Sequence, residues 1–360
     1  MNVPEPVLNP ASFGDLAGFD DDDCREAFAC FLVSCRAPRD VPRSGRPPSA
    51  SLQATFAAAR AVDANDPVRA RAFFADHFMP HRVVVPEQRG FLTGYYQPRL
   101  RGSPRPSPRF PTPVLGRPDD LVTFRDGDRP PGLDPRLSGG SRLADGAVVP
   151  YPDRAAIEDA AASPVLWLED PVELFMAQVQ GGALVTLDDG AVVRLAYDGR
   201  NGQPYTSIGR LLIESGAIAE ADMSLAKLKD WLRANGLEPG HPARDLMRRN
   251  RSYVFFKVVP DGGEPVAGAG VPLTPLRSIA VDRTLWSYGL PFFIQAELRW
   301  KSPRREPFRR LMIAQDTGSA ILGAARADIY FGSGDEAGVR AGDIRDEGDF
   351  FVLLPKGERD

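Results

Sequence analysis

The chain has 360 residues, 43% of them hydrophobic and 26% charged, with a formal net charge of −4. That length suits one large domain or two ordinary ones, and the composition is that of a soluble globular protein. The slight acidic excess offers no electrostatic grip on a phosphate backbone, so nucleic acid is excluded as an expected partner. With 34 glycines and 35 prolines, turns should be frequent, which favours short strands and loops over a helical bundle.

Residues 1 to about 90 read as mainly helical. The opening Met1-Asn2-Val3-Pro4-Glu5 has neither a basic stretch nor an apolar run, so no export signal is expected in this chain. Leu32-Val33-Ser34-Cys35 spells a lipoprotein cleavage box, but Asp20-Asp21-Asp22-Asp23 precedes it and the apolar run from Phe28 is short. Acids there suit a helix N-terminus, where carboxylates meet unpaired N–H groups. Cys24, Cys30 and Cys35 are odd in number and tightly spaced, which predicts core packing on a helix and no disulfide. Phe28, Phe31 and Leu32, and then Leu52, Phe56, Ala59 and Val62, recur at helical spacing. Pro67 to Phe78 predicts a third helix, with proline at its start. His77 and His81 are i, i+4 spaced, but Pro80 separates them, no Glu follows His77, and His241 is remote. No metal is expected.

From Gly90 the texture is β. Phe91-Leu92-Thr93-Gly94-Tyr95-Tyr96 predicts a strand limited by Pro98. Residues 99–113 alternate Arg and Pro and read as a semi-rigid connector, with a basic contact surface as the alternative. Phe175–Val185 and Ala191–Tyr197 are strand candidates, and Asn201-Gly202 marks a tight turn. Ser207–Glu214 and Ser224–Asn235 predict helices. Further strands are predicted at 253–259, 278–281, 292–298, 310–314, 327–331 and 350–354, and such a run of short strands suggests a barrel.

No nucleophile elbow, Walker A loop or dinucleotide fingerprint is present, and no cofactor is expected. Carboxylates remain. Asp282 follows Ser278-Ile279-Ala280-Val281, Asp316 follows Leu311-Met312-Ile313-Ala314-Gln315, and Asp328 lies within Ala327-Asp328-Ile329-Tyr330-Phe331. An acid at the end of, or inside, an apolar strand should be partly desolvated. Desolvation disfavours the anion and raises the pKa, as a general acid working near neutral pH requires. The plain alternative is that these acids cap turns or pair with Arg283 and Arg326. Residue chemistry narrows the choice to these three acids and does not rank them.

The same residues carry a family pattern. Ser278–Asp282, Gln315-Asp316-Thr317-Gly318-Ser319-Ala320-Ile321, Ala327-Asp328-Ile329-Tyr330 and Gly332-Ser333-Gly334 resemble the 3D domain, named for three aspartates on a double-psi β-barrel. Gly94-Tyr95-Tyr96, Val179-Gln180-Gly181, Gly199, Asn201-Gly202, Tyr205, Ser207-Ile208-Gly209 and Ser252 extend the resemblance to the membrane-bound lytic murein transglycosylase A family. The matches span roughly residues 90–355. Gly182-Ala183, Ser319 and Leu322 depart from the family's usual residues, which bears on glycan contacts and not on the reaction.

The resemblance implies an α+β chain, mainly β with N-terminal helices. Residues 1–98 and 250–360 would form the double-psi barrel domain and residues 99–249 an inserted, smaller β-rich domain, with a groove between them. It implies cleavage of the β-1,4 bond between MurNAc and GlcNAc in peptidoglycan, leaving 1,6-anhydroMurNAc ends. Asp328 would be the single acid/base, with Asp316 and Asp282 supporting it. Tyr95, Tyr96, Gln180, Gly181, Tyr205 and Ser207 would contact sugars, with at most one of the two adjacent tyrosines facing the groove. Implied too are a monomer, a periplasmic place with possible outer-membrane association, and possible cell-wall enzyme complexes. Two alternatives stand beside this: a water-using glycoside hydrolase with Asp316 as base, and a non-catalytic glycan-binding barrel.

Overall fold

In the computed structural model, described over residues 6–38, 45–86, 89–124, 128–160, 162–260 and 262–358, a short strand β1 (Val7–Pro10) leads into three helices. These are α1 (Cys24–Ser34), α2 (Ala50–Ala59) and α3 (Pro67–His77), followed by β2 (Phe78–Val84) and β3 (Gly90–Gln97). The middle of the chain holds β4 (Arg99–Ser103), β5 (Thr112–Leu115), β6 (Leu121–Thr123), β7 (Gly139–Arg142), β8 (Val148–Pro150), α4 (Arg154–Ala160) and β9 (Pro164–Leu168). Then come α5 (Pro171–Gln180), β10 (Gly182–Leu187), β11 (Val192–Arg200), α6 (Ile208–Glu214), α7 (Leu225–Ala234), α8 (Pro242–Arg249) and β12 (Val254–Pro260). The last third is β13 (Ser278–Val281), β14 (Pro291–Leu298), β15 (Glu306–Asp316), β16 (Arg326–Ser333), α9 (Asp335–Gly342) and β17 (Arg345–Pro355).

The chain divides into two units, one of Met1–Tyr96, Glu264–Gly332 and Glu336–Asp360, the other of Gln97–Gly263 and Ser333–Asp335. This partition differs from a second boundary at 249/250. β12 pairs along its length with β11, so that strand stays with the inserted unit.

In the first unit, β17, β14, β15, β13, β16 and β3 are hydrogen-bonded in that order, and β3 pairs back onto β17 to close a six-stranded barrel. β2 and β1 extend the sheet from β17. Side chains alternate in and out along β16: Ala327 and Ile329 are fully buried, whereas Arg326 and Asp328 are half-buried on the outward side. Along β3, Leu92 is buried while Phe91 and Thr93 share the outward side. The N-terminal helices cover another part of the barrel. Asp23 caps α1 by accepting from Arg25 N, and Asp66 caps α3 ahead of Pro67. Phe28, Phe31, Phe74 and Phe78 are buried together, and each contributes about 1.5–3 kcal/mol of apolar burial.

Two polar clusters fasten α1 to the barrel. Arg277, 1% exposed, donates to both carboxylate oxygens of Asp22 at 2.8 Å and to Leu311 O at 3.0 Å. Gln315 donates to Cys30 O at 3.0 Å and Ser34 Oγ at 2.8 Å, and its Oε1 accepts from Ser278 Oγ at 2.5 Å and Cys30 Sγ at 3.3 Å. The three cysteines are free and buried, and burial pushes the Cys30 and Cys35 thiols up to about 11.

The second unit contains a six-stranded sheet ordered β12-β11-β10-β4-β9-β5, a three-stranded sheet β6-β7-β8, and helices α4 to α8. It is therefore mixed α and β, not simply β-rich. Arg154, 3% exposed, organises its interior. The guanidinium donates to Asn250 O at 2.9 Å, Ser252 O at 2.7 Å and Gln178 Oε1 at 2.7 Å, between the rings of Phe175 and Tyr253.

Several sequence expectations are corrected. Phe175–Val185 is not one strand: Asp170 caps a helix that starts at Pro171 and ends at Gly181 in the left-handed conformation (φ 85°), and β10 begins only afterwards. The arginine- and proline-rich stretch 99–113 is not a bare connector, because β4 pairs with β10 and β9, and β5 begins at Thr112. The N-terminal stretch is not all helix. The helix from Pro67 ends at His77, and Phe78–Val84 is a strand paired to β17, so His77 and His81 share no helix face. Among the described residues no group of His, Cys, Asp or Glu is arranged to hold a metal ion, and no helix is long and apolar enough to cross a membrane. Met1–Glu5, on which the reading of the N-terminus turned, lie outside the described residues.

Candidate active site

The three aspartates all belong to the barrel unit, and their surroundings separate them. Asp282, 1% exposed, follows β13. Its Oδ1 accepts from Thr284 N at 3.0 Å and Thr284 Oγ1 at 2.7 Å, and its Oδ2 accepts from Gly323 N at 2.8 Å. It ties the turn after β13 to the loop between β15 and β16. That loop is also held by Trp286 Nε1 donating to Ala324 O at 2.9 Å and by Phe91 N donating to Ala325 O at 2.8 Å.

Asp316, 8% exposed, ends β15. Its Oδ1 accepts from Gly268 N and Thr317 N, both at 2.8 Å, and its Oδ2 accepts from Tyr95 Oη at 3.0 Å. The approach at Gly268 is close: a Cβ there would lie 2.7 Å from Tyr288 Oη and 3.2 Å from Asp316 Oδ1, so a larger residue would displace the Tyr288 hydroxyl. Burial, and then the charges of Asp316 and Asp328, hold the Tyr95 hydroxyl well above its usual pKa, so it remains a neutral donor.

Asp328 is different. Strand alternation puts it outside the barrel core, where it is half-buried. Its Oδ1 accepts from Thr93 Oγ1 at 2.6 Å, and its Oδ2 accepts nothing from the described residues. Thr93 in turn accepts from Arg326 Nη2 at 2.8 Å, and the Arg326 guanidinium lies 5.3 Å from the centre of the half-exposed Phe91 ring. Burial raises the Asp328 pKa. The Arg326 charge and the Thr93 hydrogen bond pull it down, and the Asp316 charge pushes it further up, with a net rise. A carboxyl with one oxygen pinned, the other uncommitted and the anion disfavoured is suited to proton donation.

Thr93, Arg326 and Phe91 were not picked out as site residues from sequence, although the period-two pattern of β3 and β16 was the available signal. Both tyrosines expected to contact sugars are buried. Tyr95 is 8% exposed and its hydroxyl serves Asp316, while Tyr96 is 5% exposed and its ring packs against Gly338. The other candidates lie in the second unit. Gln180 is the last residue of α5 and Gly181 its left-handed cap. Ser207 caps α6 by accepting from Arg210 N at 3.3 Å. Tyr205 is half-buried, and burial raises its hydroxyl pKa. Asn201, fully buried, bonds Pro152 O and Arg251 O, so its role is to hold loops together.

Residues 91–257 match the family model of the MltA specific insert domain, and residues 277–354 match that of the 3D domain. A crystal structure of a membrane-bound lytic murein transglycosylase from Agrobacterium tumefaciens is 36% identical, covers 97% of this chain and 98% of that one, and superposes with a TM-score of 0.87. Membrane-bound lytic murein transglycosylase A of Vibrio cholerae is 31% identical over 269 residues, which are 73% of this chain and 64% of that protein. The match thus spans less than two thirds of that curated relative's length. A structure of Escherichia coli MltA with bound chitohexaose is 25% identical with a TM-score of 0.65, covering 99% of this chain and 93% of that one. The chain belongs to the membrane-bound lytic murein transglycosylase A family.

Proposed function

We propose that this protein is a lytic transglycosylase that cuts the β-1,4 bond between MurNAc and GlcNAc in peptidoglycan, with Asp328 as its single acid/base. The observation that carries the reading is the contrast among the three aspartates. Asp282 and Asp316 have both carboxylate oxygens occupied by protein donors, whereas Asp328 keeps Oδ2 uncommitted and its pKa is raised. The protonated Oδ2 donates to the glycosidic oxygen as the bond to the MurNAc anomeric carbon breaks. The C6 hydroxyl of the same MurNAc attacks that carbon and gives its proton to the Asp328 carboxylate. The proton lent is returned, the product is a 1,6-anhydro ring, and no water, metal or cofactor enters the balance. Because the nucleophile belongs to the cleaved sugar, holding it in place supplies much of the acceleration.

Asp316 raises the acid's pKa through its charge, and Asp282 holds the β15–β16 loop beside it. The E. coli relative with bound chitohexaose supports a strand of β-1,4-linked amino sugars as the ligand class. Gln180, Gly181, Tyr205 and Ser207 remain the proposed sugar contacts. The six-stranded barrel is read as double-psi, in keeping with the parallel pairing of β13 and β15. The same reading gives a monomer in the periplasm, associated with the outer membrane and open to cell-wall enzyme complexes. A water-using hydrolase is less favoured, because three donors already hold the Asp316 carboxylate that would have to serve as base. The test is digestion of purified peptidoglycan. Wild type should release 1,6-anhydro fragments, and Asp328→Asn should cut the rate by a factor of about 10²–10⁴ or more. Unchanged release by Asp328→Asn would remove Asp328 from the role.

A further inference from the structure

The outward surface around Asp328 is built in steps along two neighbouring strands of the first unit, β3 and β16. Phe91 N donates to Ala325 O at 2.8 Å, which sets the two chains side by side. Their outward side chains then meet in pairs: Phe91 with Arg326, Thr93 with Asp328, and Tyr95 with Tyr330. Residues two apart on a strand share a face and lie roughly 7 Å apart, so the pairs form one continuous surface with the acid in the middle.

The two ends of this surface differ. At one end Tyr95 and Tyr330 are 8% and 1% exposed, their ring centres 5.3 Å apart, and they pack with Ala280 and Ile321 in a single apolar cluster. That end is filled. At the other end the Phe91 ring is 39% exposed. A lone exposed apolar side chain on a protein surface is ordinary in itself. The setting of this one is not. The Arg326 guanidinium lies 5.3 Å from its centre and also donates to Thr93 Oγ1, the hydroxyl that holds the Asp328 carboxyl. Ring, guanidinium, threonine and acid are thus one connected cluster, and the only end of it left open beside Asp328 is aromatic. A pyranose ring carries its hydroxyls around the rim and C–H groups on its faces. Such a face is matched by a flat, apolar ring with a negative π cloud.

We propose that Phe91 is a sugar-binding residue, whose ring takes the C–H face of the amino sugar adjoining the scissile bond while the bond's oxygen lies at Asp328 Oδ2. The proposal rests on the peptidoglycan reading above and deepens it by assigning one wall of the substrate site.

The test compares Phe91→Leu, which keeps an apolar side chain and loses the ring, with Phe91→Tyr, which keeps the ring. Binding is read by calorimetry with chitohexaose, a strand of β-1,4-linked amino sugars. Phe91→Leu should weaken Kd about five- to tenfold and Phe91→Tyr less than about twofold. On peptidoglycan, Phe91→Leu should raise KM by a similar factor and leave the alkaline limb of kcat/KM at its wild-type pH, because a ring that touches sugar takes no part in the ionisation of the acid. A displaced limb with unchanged affinity would mean that the ring only steadies Arg326, and would overturn the proposal. So would equal losses in the two variants, wild-type affinity in Phe91→Leu, or failure of folded wild type to bind the hexamer. Wild type that binds the hexamer yet releases no 1,6-anhydro products would refute the reaction instead, and the contrast between leucine and tyrosine in Kd would still decide for or against the ring.

Discussion

Asp328 is a carboxyl whose folded surroundings disfavour its charge. A side chain with a folded pKa above its unfolded value contributes fully below the unfolded pKa, near 3.9, and costs stability as pH rises through the folded value. Asparagine keeps the acceptor that Thr93 needs and never ionises. Asp328→Asn should therefore match wild type in Tm at pH 3–4 and exceed it by a few degrees at pH 7, by thermal melts across that range. An equal or lower Tm at pH 7 would mean that the Arg326 charge and the Thr93 hydrogen bond outweigh desolvation. At this scale the sequence was informative about candidates and silent about their order. The apolar neighbours of Asp282, Asp316 and Asp328 announced burial, but burial alone does not separate a saturated carboxylate from an uncommitted one. The donors that saturate Asp316 come from Tyr95 and Gly268, far away in the chain.

Three strands set the pKa of Asp328, the proposed acid: β3 through Thr93, β16 through Arg326, and β15 through Asp316. Thr93→Val removes a hydrogen bond that favours the anion, so the acid's pKa should rise and the alkaline limb of kcat/KM should move to higher pH. Asp316→Asn removes a charge that disfavours the anion, so the limb should move to lower pH. Opposite displacements in pH–rate profiles are the expected outcome, and displacement in the same direction would contradict the tuning scheme. Elements of strong period were legible in the sequence. Ser278–Val281 is a strand with the predicted limits, and Ser207 and Ser224 sit as caps one residue before α6 and α7. Phe175–Val185 misled because its β-prone residues, Phe175, Val179 and Val185, fall on both sides of a helix end. The cap Asp170 and the left-handed Gly181 decide that boundary, and tertiary burial overrides propensity between them. Phe78–Val84 contains Pro80, which argues against a strand, yet it pairs on one side with β1 and on the other with β17.

Over the whole molecule, the ordered motifs from Gly94 to Gly334 made the family legible, and several of them hold the fold: Gly181 caps α5, and Asn201 is fully buried and ties loops together. What the sequence could not expose is the closure of the barrel: β3 and β17 are some 250 residues apart in the chain, and their pairing brings Thr93 beside Arg345. The family, the barrel and the uncommitted Oδ2 of Asp328 support the proposed reaction, in which the sugar supplies its own nucleophile. Digestion of peptidoglycan in oxygen-18-labelled water, with mass spectrometry of the newly formed MurNAc ends, tests this most directly. The account predicts 1,6-anhydro ends without label, since no water is consumed; label in reducing MurNAc ends would mean that a water molecule is the nucleophile and would contradict it.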